Sequence, residues 1–243
     1  MLDTLLILAI LAVLFVVSRV LNIFDLKGTT AALVVGLIVA FFGSLQWLIV
    51  LLVFAISSHF ATKAFFDIKK KQHVQEGVAG ERRVSNVFYA ALIGIAIASI
   101  NLGSVLSHSI YFHYFELFSI SLAVVNSDTF ASEIGQIDKK VYMITNFKRT
   151  TPGINGGVSL TGEAAALLGA FIVAISYGLL SLSTGISVVR ILMVGALGFL
   201  GCQIDSVLGA AFENRNKLSK GEVNFLASFL SVLIAIPILL VAF

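Results

Sequence analysis

The chain contains a single cysteine, Cys202, and only 12% of its 243 residues are charged. One cysteine excludes an internal disulfide and any metal site built on several thiolates, which leaves Cys202 as a small packing residue. The shortage of charge excludes a water-soluble domain of this length, because no long stretch is polar enough to supply such a domain's surface. The first apolar run, LLILAILAVLFVV, has no basic region ahead of it and no small-residue cleavage site behind it. A retained helix is therefore expected there in place of a signal peptide. What the sequence does have is apolar: 58% of residues are hydrophobic and the mean hydropathy is +1.03. That composition describes a polytopic membrane protein, read as a single integral-membrane domain over residues 1–243.

Segments long enough for a bilayer lie at about residues 2–20, 29–42, 45–60, 84–100, 112–125, 162–182, 188–212 and 223–241, taking about 20 residues per crossing. The expected fold is all-α, a bundle of about eight transmembrane helices in which the short second segment and the third form either two spans or a re-entrant hairpin. Connections alternate in charge. Arg19 and Lys27; Lys63, Lys69, Lys70, Lys71, Arg82 and Arg83; Lys139, Lys140, Lys148 and Arg149; and Arg215, Lys217 and Lys220 all fall on one side, which leaves only Arg190 of the sixteen basic residues near the other. Basic connections face the cytoplasm, so both termini are expected outside it, in a multi-pass protein of the cell membrane. The net charge of +3 then follows from topology and from attraction to anionic lipid headgroups, and no nucleic acid partner is needed.

The stretch NSDTFASEIG places Asn126, Asp128 and Glu133 at the cytoplasmic end of the fifth segment. Asp205 lies inside the apolar seventh segment, and Arg190, fifteen residues earlier, is about 22 Å away along a helix and cannot be its partner. A carboxylate inside a bilayer needs the protein interior and a cation, from a loop or from a bound metal. Glu163 opens the sixth segment at the same level, where it would also complement the helix macrodipole. Asp128 has a competing reading as a cap at a helix break; Asp205 has no such alternative. Glu116 and His113 lie near the outer boundary and are expected to be solvated. The glycines of GALGFLG, Gly195, Gly198 and Gly201, read as a close helix-packing face.

A second pattern is KRTTPGINGGVSLTGE, in which Lys148 and Arg149 precede Pro152, Gly153, Asn155, Gly156 and Gly157 and the chain enters a helix through Ser159. Glycines allow successive amides to converge, and a helix N-terminus adds partial positive charge, an arrangement suited to phosphate. Carboxylates, a phosphate cradle and cations on one face are the parts of Mg²⁺-assisted phosphoryl transfer. The basic loop from Lys63 to Arg83 is expected to hold its KKK run at headgroup level and to lay HVQEGVAGERR over a nucleotide as a mobile lid.

NSDTFASEIG, PGINGGVS and DSVLGA, with Lys27-Gly28-Thr29 early and Asn224 late, resemble the integral-membrane family of the plant plastid phytyl-phosphate kinase and the animal transmembrane protein 19 group. The similarity runs in motif order over nearly the whole chain. Phe130 stands where that family often has Trp, and Ile154 where it often has Thr. The resemblance implies phosphorylation of an isoprenoid monophosphate of the phytyl or geranylgeranyl type to the diphosphate, with CTP or another nucleoside triphosphate as donor. On this reading Asp128, Glu133 and Asp205 hold Mg²⁺, and Gly153, Asn155, Gly156, Gly157 and Ser159 cradle phosphate. Lys148 and Arg149 hold phosphate oxygens, Asn86 makes a polar contact to substrate, and the active site faces the cytoplasm. Two other readings stay open: a polyprenol kinase or cytidylyltransferase of the CDP-lipid synthase type, and a secondary transporter, whose ion site would lie nearer the midplane.

Overall fold

The structure is a computed structural model that describes residues 2–71, 73, 75–108 and 112–242. Its helices are α1 (Leu2–Leu21), α2 (Leu26–Phe42), α3 (Leu45–Lys63), the short α4 (Phe66–Lys71), α5 (Val84–Leu106), α6 (Tyr114–Gly135), α7 (Leu160–Leu180), α8 (Val188–Ala211) and α9 (Lys220–Ala242). Six of them, α1, α3, α5, α7, α8 and α9, are long and apolar enough to cross a membrane. The other two segments foreseen as spans depart from that standard in opposite ways. α2 is apolar but has only 17 residues, and α6 has 22 residues but carries too many polar ones.

The polarity of α6 follows from its position. Fifteen of its 22 residues are buried, and it packs against α3, α5, α7, α8 and α9. A helix enclosed on all sides by other helices answers to their polar groups and not to lipid. Small residues bring the neighbours close. A Cβ on Gly198 would meet Ala123 of α6 and Ala170 of α7, and one on Gly201 would meet Val124 of α6 and Ser231 of α9. The GALGFLG face therefore packs as its spacing predicts. Cys202 is buried beside that face with a free thiol.

The connections expected to be basic meet at one end of the bundle. Arg82 donates its amide to the Ile23 carbonyl (3.0 Å) and its carbonyl accepts from Asp25 (3.1 Å), which pins the α4–α5 loop to the α1–α2 linker. Asp25 also caps α2, its carboxylate accepting from the Gly28 amide at 2.6 Å. At the other end Asn101 donates to the Phe42 carbonyl (2.8 Å). There Glu116 is buried, and Arg190 and His113 pair with it, so it is not solvated as its position near a boundary suggests.

The α6–α7 connection contains a three-stranded antiparallel sheet that hydrophobic patterning does not foresee. Its order is β2 (Arg149–Thr150), β1 (Val141–Met143), β3 (Gly157–Val158). Val141 faces Thr150, and Met143 faces Gly157. Strands of two or three residues leave no periodicity to read.

Candidate functional site

Asn126 and Ser127 fix the rotation of α6. The Asn126 side-chain oxygen accepts from Ser57 (3.1 Å) and Ser58 (2.9 Å) of α3, and its nitrogen donates to the Gly169 carbonyl of α7 (2.8 Å). Ser127 donates to the Ala166 carbonyl (2.8 Å). Both residues are fully buried, where an unmade hydrogen bond costs about 1–3 kcal/mol. The neighbouring Asp128 is left to turn toward α8, and its carboxyl group lies within hydrogen-bonding reach of that of Asp205.

Two carboxyl groups in contact repel unless a proton or a cation stands between them. Two protein groups respond to this charge. The Asn224 amide, oriented by its hydrogen bonds, donates to Asp205 Oδ2 (2.8 Å) and to the Lys220 carbonyl (3.3 Å). The Lys220 ammonium lies within electrostatic reach of both Asp128 and Asp205. Lys220 opens α9, where a cation opposes the helix macrodipole. That misplaced charge is the signal in the sequence that would have singled it out, and the SKGE capping box around it, in which Ser219 and Glu222 exchange hydrogen bonds, fixes its position.

The loop PGINGG closes the site from the side of the sheet. Gly153 and Gly156 both have positive φ, at 84° and 78°. A Cβ on Gly156 would fall 2.6 Å from the Ser206 carbonyl oxygen and 2.5 Å from Ala210 Cβ, so this glycine seats the loop directly on α8 one turn beyond Asp205. The Asn155 carbonyl accepts from Asn214 (2.9 Å). Gly153, Asn155, Gly156, Gly157 and Ser159 line the cleft so formed together with Asp128, Asp205 and Lys220. Ser159 already caps α7, accepting from the Gly162 amide at 3.1 Å. Asp138 is tied to the same helix start by Thr161; although burial pushes its carboxyl up, hydrogen bonds from Ser159 and Thr161 hold it below the ordinary carboxylate range. Glu163 also lines the cleft, with Gln203 of α8 donating to it (2.8 Å).

A second cleft shares Asp128, Ser132 and Lys220 with the first and extends to Glu76, Arg82, Asn86, Glu133 and Asn224. Asn86 donates to Glu76 (2.9 Å), and Arg82 donates to Thr129 (3.1 Å). Lys69 does not reach headgroup level. It is fully buried, donates to Glu133 (2.5 Å) and to the Thr62 carbonyl (2.7 Å), and draws α4 against the bundle. Glu81 receives the amides of Val78 (2.9 Å) and Ala79 (2.6 Å), which organises the loop expected to form a lid; Val74 of that stretch lies outside the described residues. Lys148 and Arg149 are exposed at the outer strand and line neither cleft. The cations that do line them are Lys220 and Arg82.

Among the described residues no three Asp, Glu, His or Cys side chains form a metal cage. Mg²⁺ is usually held instead by one or two carboxylates together with substrate phosphates and water, and the adjoining Asp128 and Asp205 fit that requirement. The carboxylates, the glycine loop seated beside them and the cations Lys220 and Arg82 that line the two clefts suit a polyanionic ligand.

The profile of a family described as integral membrane protein DUF92 matches residues 8–232. The chain is 29% identical over 239 residues to the uncharacterized membrane protein MJ0933 of Methanocaldococcus jannaschii, covering 97% of this chain and 92% of that one. It is 29% identical over 216 residues to Protein VTE6, chloroplastic, of Arabidopsis thaliana, covering 86% of this chain and 63% of the plant protein. Protein PGR of the same plant is 28% identical over 215 residues, covering 78% and 72%. No solved structure gives a significant match.

Proposed function

The chain belongs to the integral membrane family DUF92, and from that premise we propose that it is a membrane kinase. It transfers a phosphoryl group from a nucleoside triphosphate to an isoprenoid monophosphate of the phytyl or geranylgeranyl type, giving the diphosphate. The observation that carries this reading is the contact of Asp128 with Asp205 beside the glycine loop that Gly156 seats on α8. The resemblance of NSDTFASEIG, PGINGGVS and DSVLGA to the phytyl-phosphate kinase group supports the lipid class.

Asp128 and Asp205 would hold Mg²⁺, while Glu133, foreseen as a third ligand, is taken up by Lys69 and lines only the second cleft. The metal would neutralise phosphate oxygens as the phosphoryl group passes between them. Asn224 fixes one Asp205 oxygen and so sets which lone pairs that carboxylate presents. Amides of the loop from Gly153 to Gly156 receive phosphate oxygens, and Lys220 and Arg82 offset the remaining negative charge. The acceptor phosphate is already anionic, so the chemistry asks for charge neutralisation and alignment more than for a base. The basic end of the bundle faces the cytoplasm, where the nucleotide is. Lys148 and Arg149, exposed beyond the sheet, act on the approaching nucleotide.

Purified protein incubated with geranylgeranyl or phytyl monophosphate, Mg²⁺ and each nucleoside triphosphate in turn should yield the lipid diphosphate, identified by mass. A nucleotidyl-lipid product would establish a cytidylyltransferase-type reaction instead, and absence of any lipid product with every nucleotide would refute the reading.

A further inference from the structure

We propose that the apolar cavity between α1, α2, α3 and α5 holds the hydrocarbon tail of the lipid phosphate, with head and tail meeting at Arg82 and Asn86. The phosphate head is taken from the function proposed above; the tail site itself stands on separate observations.

The cavity is lined almost wholly by apolar groups, as most of a ligand site's wall is. Its walls include Leu14 of α1, Val35 of α2, Leu51 and Phe54 of α3, and Ala90 and Ala91 of α5; among the described residues its polar walls are Ser58, Arg82 and Asn86. Arg82 and Asn86 also line the second polar cleft with Asp128 and Lys220. Two compartments of opposite polarity therefore share one boundary, which suits an amphiphile with an anionic end.

The direction agrees with this. α3 ends and α5 begins at the basic end of the bundle, so the cavity runs from that end inward. From Asn86 to Ala91 it follows α5 for about 7 Å at 1.5 Å per residue. Ala55, Ala90 and Ala91 keep the space open where larger side chains would close it. Arg82 supplies the marker at the mouth: one guanidinium nitrogen donates to Thr129, while its Nε is buried without a partner among the described residues. An unpaired donor beside an apolar tunnel is costly unless a ligand's polar group receives it. A cation at that boundary selects an anionic headgroup over a neutral one, and the cavity beyond it selects chain length.

The test combines labelling with chain-length kinetics on the full chain in detergent micelles. Geranylgeranyl monophosphate with a photoreactive diazirine within its first two isoprene units should crosslink to residues 51–55 or 87–91, and unlabelled geranylgeranyl monophosphate should compete. Uncompeted label spread over the lipid-facing helices would mean that bulk lipid fills the cavity, and would overturn the site. Ala91→Leu should lower kcat/KM for geranylgeranyl monophosphate at least about tenfold, because a filled pocket rejects added methylenes, while dimethylallyl monophosphate stays within about twofold. Equal loss for both substrates, or no loss, would overturn it. Ala55→Leu repeats the test from the opposite wall should Ala91→Leu fail to fold. Competed labelling at these positions without any phosphoryl transfer would uphold the tail site and defeat the kinase reading, so the two fail separately.

Discussion

Lys69 Nζ lies 2.5 Å from Glu133 Oε2, with the lysine wholly buried. A sequence of three consecutive lysines between membrane segments suggests a row of cations on headgroups; the structure sends the first of them inward, to a carboxylate sixty-four residues away. α4 is thereby clamped to α6 a little more than one turn beyond Asp128.

Breaking this pair from one side should be costly. Lys69→Met would strand a buried carboxylate and is expected to cost about 3–5 kcal/mol, whereas adding Glu133→Leu should recover most of the loss, because two apolar groups leave no unpaired charge. Thermal unfolding of the two single variants and the double variant in detergent checks this. Equal stability of Lys69→Met and the parent chain would show that the pair holds nothing.

Gly153 and Gly156 separate backbone strain from steric fit. Both have positive φ, but a Cβ at Gly153 meets nothing within 4 Å, while one at Gly156 meets α8. Gly153→Ala should carry only the left-handed backbone strain, about 1–2 kcal/mol. Gly156→Ala carries the same strain and also lifts the loop from Ser206 and Ala210. Displacement of about 1 Å near a reacting centre can lower turnover by about a hundredfold. Turnover assays of the two variants should therefore diverge strongly, and similar activities would remove the loop from the site.

The orientation proposed from the basic connections is open to labelling. Single cysteines introduced at positions 2 and 70, in a Cys202→Ser background, should react with a membrane-impermeant maleimide from the outside only at position 2. Reaction of position 2 from the cytoplasmic side would invert the bundle and place the carboxylates on the wrong face for a cytoplasmic nucleotide.

Much of this arrangement was legible in the sequence. Apolar length gives the helices, loop charge gives the shared end, and the lack of any cap or solvent at Asp205 marks it for a partner. The convergence of Asp128, Glu133, Glu163 and Asp205 on one end follows from carboxylates arriving at one level, but which of them meets Asp205 does not. Three other things were not legible, each for a physical reason. The sheet beside the site has strands too short to carry a period. The exchange of Lys148 and Arg149 for Lys220 and Arg82 as the cations lining the clefts depends on which way loops fold back, and sequence proximity to the glycines says nothing of that. The burial of Lys69 depends on a pairing across sixty-four residues that no local pattern encodes.

Asp205→Asn distinguishes a metal ligand from a structural anion. The amide has nearly the shape of the carboxylate and removes one of two adjoining negative charges, so folding should be unharmed or improved if Asp205 exists to hold Mg²⁺ with Asp128. Turnover should still fall by orders of magnitude, since a lost charged ligand weakens both metal retention and alignment of the phosphoryl group. Raised Mg²⁺ or Mn²⁺ should then restore part of the rate. If Asp205 serves only to balance Lys220, the forecast reverses: the melting temperature falls because the ammonium loses a partner, and no concentration of metal restores activity. Melting temperature and metal dependence of turnover, measured on this one variant, decide between the two, and near-normal turnover at ordinary Mg²⁺ would exclude Asp205 from the site.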